Sequence, residues 1–501
     1  MNDLLLIIFG ASGDLAKKKL IPALFKLYLE EKLPLNTKIL GVGRTSIDTA
    51  GFREMIRSNS LNGNQSTRTS ENYLHNFLES FDYLVMDPSK PEDYLLLKEK
   101  AKMFFPDCHN YIFYMATPPH LSEIIPKNLF LSGLNRSEKG ENCFRRIVVE
   151  KPFGYDLSSA TKINTELVSL FGEDQIFRID HYLGKETVQN IMAIRFSNTI
   201  FEPLWNRNYI DRIEITAVEN FGIGSRGGFY ENTGALRDMV QNHLIQLLAL
   251  VAMEPPLSFN QREFRDEVVK VFRALKPLSE KDIPNSVVRG QYISAEEIPG
   301  YRQEKGVDPA SYTETFLTMR LFVDNWRWQG VPFYIRTGKQ MPTKVTEIIV
   351  HFRPTPHKLF TGRGKKPEQN QLVIRIQPNE GFLLKFDMKI PGAGFDVRKA
   401  EMEFTYDKLG EYTPDDPYAR LILDCISGDN TLFTRSDAVQ ASWQFFDPLI
   451  KYWRENPHFP LYGYPAGTWG PPESNSIIES EKKEWTNPCK NLTNTDLFCE
   501  L

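Results

Sequence analysis

No C-x-x-C pair occurs in this chain, and its five cysteines (Cys108, Cys143, Cys425, Cys489 and Cys499) are odd in number and far apart. That pattern offers neither a zinc site nor a disulfide-exchange motif, and it suggests a reducing compartment rather than a secreted, cross-linked fold. Long apolar runs are missing as well. The run in "MNDLLLIIFGASGD" is too short to span a bilayer, and neither a basic region before it nor a small-residue cleavage site after it marks a leader. No membrane partner is expected. Charge of one sign is equally scarce: 60 Lys and Arg against 64 Asp and Glu leave a formal charge of -4. Such a balance gives no global attraction for nucleic acid, so any anion site must be local. No internal repeat is visible.

What is present is a globular composition, 41% hydrophobic and 25% charged, over 501 residues. That length exceeds one ordinary core and implies two large domains. Leu4 to Phe9 is a continuous apolar run, as in a strand buried on both faces of a parallel sheet. Leu20, Ala23, Leu24 and Leu27 then recur at helical spacing, Pro34 and Asn36 break the pattern, and Lys38 to Val42 reads as a second strand. Together these form a βαβ unit. Tyr111 to Met115 and Arg146 to Val149 continue the α/β layering to about residue 178, with Ser58 to Ser70 as a surface loop between. Beyond residue 210, "RIEITAV", "ETFLTMRLFV", "TEIIVHF", "QLVIRIQ" and "FLLKFDMKI" have strand length and turn signals between them, which predicts an antiparallel sheet. Asp238 to Met253 is apolar enough for a buried helix.

Gly10 to Lys19, "GASGDLAKKK", falls at the first strand-to-helix junction, where unpaired N–H groups and the helix dipole favour an anion. The spacing is G-x-x-G rather than G-x-G-x-x-G, so by itself it is also compatible with an unliganded tight turn. The second strand ends in "GVGR". Arg44 and Thr45 stand where an NAD site more often places an acid, and a guanidinium suits a 2′-phosphate, which points to NADP. The Lys17 to Lys19 run reads as a solvated helix face.

Three further segments carry ionisable chemistry beside "RIDHYLGKE" (Arg178 to Glu186). "VVEKPFG" brings Lys151 and Pro152 to the end of a strand, "RDMVQNHLIQ" carries Asp238 and His243 into the helix, and "RTGKQMPTK" supplies Lys339 and Lys344. With these motifs, and with "YPAGTWGP" near the end, the sequence closely resembles the glucose-6-phosphate dehydrogenases over almost its whole length.

The resemblance implies a fold, α/β plus α+β. A Rossmann-like NADP-binding domain would span residues 1–178, and a larger substrate-binding and oligomerisation domain on a mostly antiparallel sheet would span 179–501. It implies oxidation of D-glucose 6-phosphate to 6-phospho-D-glucono-1,5-lactone with NADP, the entry reaction of the pentose phosphate pathway in that family, without a metal. His243 resembles the general base and Asp180 its partner, a carboxylate that would fix the imidazole tautomer and stabilise the imidazolium. His181, Tyr182, Lys185 and Lys344 resemble the 6-phosphate ligands. Glu219, Asp238 and Lys339 resemble the residues facing the sugar, with Lys151 between sugar and cofactor. Gly10, Ala11, Ser12, Gly13, Asp14, Leu15, Arg44 and Thr45 would hold NADP. A cytoplasmic homodimer or homotetramer is the expected form.

Animal members hold a second, structural NADP partly through a lysine where this chain has Val345, so that nucleotide is not expected here. Two competitors remain open at this stage. A dehydrogenase of an unphosphorylated sugar would share "EKP", and a silent NADP-binding relative would have lost part of the dyad or of the phosphate cluster. One geometric question also stands: Asp238 and His243 are five apart, about 140° around a regular helix, so facing one sugar requires an irregular helix or Asp238 in its first turn.

Overall fold

The computed structural model of the chain describes residues 3–60, 71–105, 109–137, 143–357, 359, 369–392, 396–409 and 416–488. They form two compact units, one of residues 1–185, 258–265 and 415–440, the other of residues 186–257, 266–414 and 441–501.

The first unit is built on six strands, β1 (Asp3–Phe9), β2 (Asn36–Gly43), β3 (Phe81–Val85), β4 (Asn110–Met115), β5 (Arg145–Val149) and β6 (Ile176–Arg178). Their order is β3-β2-β1-β4-β5-β6, and every pairing is parallel. This is the doubly wound arrangement whose ligand crevice opens at the carboxyl ends of the strands, where the order reverses beside β1. Leu4 to Phe9 are all nearly inaccessible, which is why β1 reads as an unbroken apolar run. A π-helical turn, Ala16–Leu20, and a helix, Ile21–Leu29, follow it. Ser58 to Ser60, expected in a loop, instead finish the helix Thr49–Ser60, whose Phe52 and Ile56 are buried four apart. Residues 61–70 of that expected loop lie outside the described residues.

The second unit holds nine strands. These are β7 (Ile210–Val218), β8 (Val287–Ile293), β9 (Phe316–Phe322), β10 (Pro332–Gly338), β11 (Val345–Phe352), β12 (Gln371–Gln377), β13 (Gly381–Lys389), β14 (Val397–Thr405) and β15 (Leu461–Pro465). Their order is β14-β13-β12-β11-β7-β10-β9-β8-β15. The sheet is mixed but mostly antiparallel, because only β7 with β10 and β8 with β15 run in the same direction. The helix expected at Asp238 to Met253 starts slightly earlier, as a π-helix over Leu236–Leu244 that continues as an α-helix over Ile245–Ala252. No described helix is long and apolar enough to cross a membrane. Cys425 is a buried free thiol, whereas Cys143 is disulfide-bonded, a departure from the reduced state that the cysteine pattern suggests.

Candidate active site

In the first unit the candidate residues gather at the carboxyl ends of β1, β2, β5 and β6. Gly10 adopts φ +79° where the chain leaves β1, and its N–H and that of Ala11 both donate to Val42 O. A side chain at Gly10 would strike the Ala116 backbone, so this position of the turn admits only glycine. Gly13 closes the turn on Gly10 O at 2.9 Å, and the helical residues Asp14 and Leu15 follow. Ser12 Oγ and Thr45 Oγ1 are 2.9 Å apart, which ties the cradle to the end of β2. Arg44 is exposed beside them. The Lys17 to Lys19 run does face solvent for the most part, with Lys18 paired to Asp14 at 2.8 Å. A tight turn at a helix start with an exposed guanidinium alongside fits a phosphorylated dinucleotide.

At the end of β5 the Lys151–Pro152 peptide bond is cis, and Gly154 follows at φ +104°. A Cβ on Gly154 would lie 2.6 Å from the Ala160 backbone, so the loop is pressed against the start of the helix Leu157–Phe171. Asp156 caps that helix in a capping box with Ser159. Lys151 is thereby carried on a short, pinned segment.

The nonamer after β6 is no solvated loop. Arg178, Asp180, Tyr182 and Leu183 are buried. Arg178 spends its charge internally, on both carboxylate oxygens of Glu173 at 2.8 and 3.1 Å. Burial holds the Asp180 carboxyl above its ordinary range, opposed by the nearby His181, by the Tyr182 N–H at 3.0 Å, and by Lys151 and Lys185. Successive turns, Leu183 N–H to Asp180 O and Lys185 N–H to Tyr182 O, fold the segment so that Lys185 Nζ sits 4.8 Å from the Tyr182 ring. His181, Tyr182 and Lys185 thus form one basic and aromatic cluster. The segment rests on the helix Pro417–Ser427: the His181 and Tyr418 rings are nearly parallel at 6.5 Å, and Gly184 leaves no room for a side chain beside Pro417 O.

In the second unit the sheet register assembles the remaining candidates. Val218 pairs with Gly338 across the parallel β7 and β10, and with Val345 across the antiparallel β7 and β11. Glu219, Lys339 and Lys344 therefore emerge at the same end of these three central strands. Lys339 is almost inaccessible, forms an ion pair with Glu219, and stands 3.7 Å from Asp238. Its ammonium also lies 5.2 Å from the Tyr230 ring, and its carbonyl accepts a 2.6 Å hydrogen bond from Tyr464. Lys344 is exposed, 5.8 Å from the Phe221 ring.

The geometric question about the helix has a definite answer. Asp238 and His243 both lie in the π-helix Leu236–Leu244, and in a π-helix the bonded residues i and i+5 stack on one face. Asp238 is in addition in its first turn. The Glu314 carboxylate accepts from the Leu236 N–H at 2.9 Å and anchors the start of this helix. His243 is buried.

A cavity of about 830 Å³ elsewhere in this unit is lined by Arg195, Glu202, Arg207, Glu254, Trp326 and Arg327, with none of the candidates. Its charges are largely consumed by one another, Arg195 and Arg327 pairing with Glu202 and Arg327 also with Glu254, so the chemistry is better assigned to the cluster around Lys339. Sequence reasoning missed Phe221, Tyr230 and Tyr418, whose positions carry no local periodic signal. It also left Glu150 without a role, although that residue is part of the "EKP" motif.

Comparison with known proteins bears on both units. Residues 7–190 match the family described as glucose-6-phosphate dehydrogenase, NAD binding domain, and residues 192–486 match glucose-6-phosphate dehydrogenase, C-terminal domain. The chain is 47% identical to a glucose-6-phosphate 1-dehydrogenase of Treponema pallidum (strain Nichols), over 99% of this chain and 98% of that one. It is 45% identical to the corresponding protein of Aggregatibacter actinomycetemcomitans, over 96% and 97%. Among solved structures, a glucose-6-phosphate dehydrogenase in complex with its substrate glucose-6-phosphate aligns with a TM-score of 0.88 at 35% identity, over 97% of this chain and 99% of that one.

Proposed function

The chain belongs to the glucose-6-phosphate dehydrogenase family, and from that premise we propose how its residues divide the reaction. It is an NADP-dependent oxidoreductase that converts D-glucose 6-phosphate to 6-phospho-D-glucono-1,5-lactone. His243 removes the proton of the C1 hydroxyl while hydride leaves C1, and Asp180 is its carboxylate partner. Bound NADP would supply the hydride acceptor. Glu219, Asp238 and Lys339 hold sugar hydroxyls. His181, Tyr182, Lys185 and Lys344 hold the 6-phosphate, and this concentration of cations lets an acidic chain bind a dianion. Gly10 to Leu15, Arg44, Thr45 and Lys151 hold NADP, with residues 1–178 as the nucleotide domain and 179–501 as the sugar-phosphate and oligomerisation domain. A cytoplasmic homodimer or homotetramer completes the reading.

The observation that carries this assignment is the π-helix that turns His243 to one face with Asp238, which itself stands 3.7 Å from Lys339. A regular α-helix would separate them by about 140°. The test is the initial rate of NADPH appearance with glucose 6-phosphate, set against glucose and against NAD at matched concentrations. A fast rate that needs both the phosphate and NADP is the expected result. Efficient use of free glucose would instead favour a dehydrogenase of an unphosphorylated sugar, and no turnover in folded protein would indicate a silent binder.

A further inference from the structure

Glu150, the last residue before the Lys151 loop, has a carboxyl that the hydride-transfer chemistry leaves unused. Its Oε1 accepts a 2.6 Å hydrogen bond from Tyr114 Oη, and Tyr114 is almost wholly buried on the adjacent β4. We propose that Glu150 is a positioning residue that acts through Lys151: held by Tyr114, its carboxyl sets the net charge beside that lysine, and through it the affinity for the polyanionic cofactor. The proposal rests on the reading of Lys151 as a cofactor residue.

The physical basis is the crowding of charge at the ends of β4, β5 and β6. The groups acting on the Glu150 carboxyl are Tyr114 from β4, Lys151 from its own segment and Asp180 after β6, while Tyr418 from the helix Pro417–Ser427 also senses its charge. Burial raises the carboxyl and Asp180 adds to that, while the Tyr114 hydrogen bond and Lys151 lower it, and the balance pushes it up to about 7. A carboxyl so placed changes charge in the neutral range. Ionised, it adds a negative charge beside the Lys151 ammonium and opposes a bound polyanion; protonated, it removes that charge. Because Tyr114 is held far above its ordinary value by burial, it remains a hydrogen-bond donor throughout.

A bound polyanion favours the protonated carboxyl, so affinity is higher below the Glu150 pKa and falls as pH rises through it. The experiment is the affinity for NADPH, read by its own fluorescence from about pH 6 to about pH 9, for the unaltered enzyme, Glu150→Gln and Tyr114→Phe. The unaltered enzyme should lose about three- to tenfold in affinity across this range, equivalent to a half to one unit of coupling. In Glu150→Gln, which keeps the shape and a hydrogen bond to Tyr114, the loss should vanish. In Tyr114→Phe it should move to higher pH, because the hydrogen bond that lowers the carboxyl is gone. A purely structural role would give pH-independent changes. The same slope in Glu150→Gln as in the unaltered enzyme, or an unmoved limb in Tyr114→Phe, would overturn the proposal. Since no sugar is present, the result is independent of whether glucose 6-phosphate is turned over, and a separate rate measurement decides that question.

Discussion

Lys339 Nζ stands 3.7 Å from Asp238 Oδ2, which ties the end of β10 to the first turn of the π-helix. The same ammonium is paired with Glu219, so one inaccessible cation holds two carboxylates in place. Replacing it with methionine removes the charge that Glu219 and Asp238 both face. Lys339→Met should cost about 3 kcal/mol of stability, the usual penalty for removing one partner of a buried ion pair. Its KM for the sugar phosphate should rise together with a fall in kcat. Denaturant unfolding beside steady-state kinetics checks both, and an unchanged midpoint would mean that the carboxylates are not held by this lysine.

His243→Asn tests the base. A base acts mainly in the transition state, so kcat should fall by about 10²- to 10⁴-fold while KM moves little. Retention of near-normal kcat would remove His243 from the role. His243 is buried in the π-helix, so a thermal unfolding curve should accompany the kinetics, to separate lost chemistry from lost packing.

Much of the frame was legible because burial on two faces writes itself into sequence. Leu4 to Phe9 and Gln371 to Gln377 are strands within one residue of the reading, and the nucleotide cradle is local to one strand-helix junction. β14 was not legible. Its pattern is mostly exposed and its charges, Arg398, Lys399, Glu401 and Glu403, mask any alternation. The π-helix was beyond reach as well, since the spacing of apolar residues does not reveal which hydrogen-bond ladder the backbone adopts. Most informative is the segment 415–440, which returns to the first unit and packs Pro417 and Tyr418 against the nonamer. That contact spans more than 230 positions (Gly184 to Pro417), and no periodicity within a window can report it. The basic cluster was therefore readable as chemistry, while the surface that shapes it was not.

Arg44→Ala should erode the preference for NADP over NAD. The guanidinium is exposed beside the Ser12 and Thr45 pair, and in the proposed role it would meet a 2′-phosphate that NAD lacks. The loss in kcat/KM should be about tenfold or more with NADP, as for one charge-assisted contact, and small with NAD. Equal losses with the two cofactors would show that Arg44 does not read the phosphate.

Gly184→Ala probes the seat of the nonamer without touching a ligand. The added methyl would lie 2.7 Å from Pro417 O and 3.0 Å from the Leu421 side chain, inside contact distance for both. Overpacking of this kind costs about 1–3 kcal/mol, and relief requires the turn carrying His181, Tyr182 and Lys185 to move. KM for glucose 6-phosphate should rise several-fold, with a smaller effect on the NADP KM. A lowered melting temperature with an unchanged sugar-phosphate KM would place the phosphate away from this turn.

The acid limb of stability should depend on Glu214. This carboxylate is inaccessible on β7; burial raises it, but the hydrogen bond from His351 Nε2 at 2.8 Å, Arg212 Nε at 2.9 Å and the Thr486 N–H at 2.9 Å outweigh that and lower it from 4.5 to about 2. His351 is itself held below its ordinary value by burial, so at neutral pH the pair is an imidazole N–H donated to a carboxylate, with Arg212 supplying the positive charge. A depressed folded value stabilises the protein above the unfolded value and loses that contribution as pH falls toward the folded one. The window is therefore between about pH 4.5 and about pH 2, and the contribution is about 3 kcal/mol. Glu214→Gln should be less stable at pH 7, since Arg212 loses one of its two carboxylate partners and keeps only Asp211, and its stability should vary less than that of the unaltered protein across this acid window. Denaturant midpoints collected against pH decide the matter: curves that fall in parallel would assign the acid transition to other carboxylates and leave Glu214 a packing residue only.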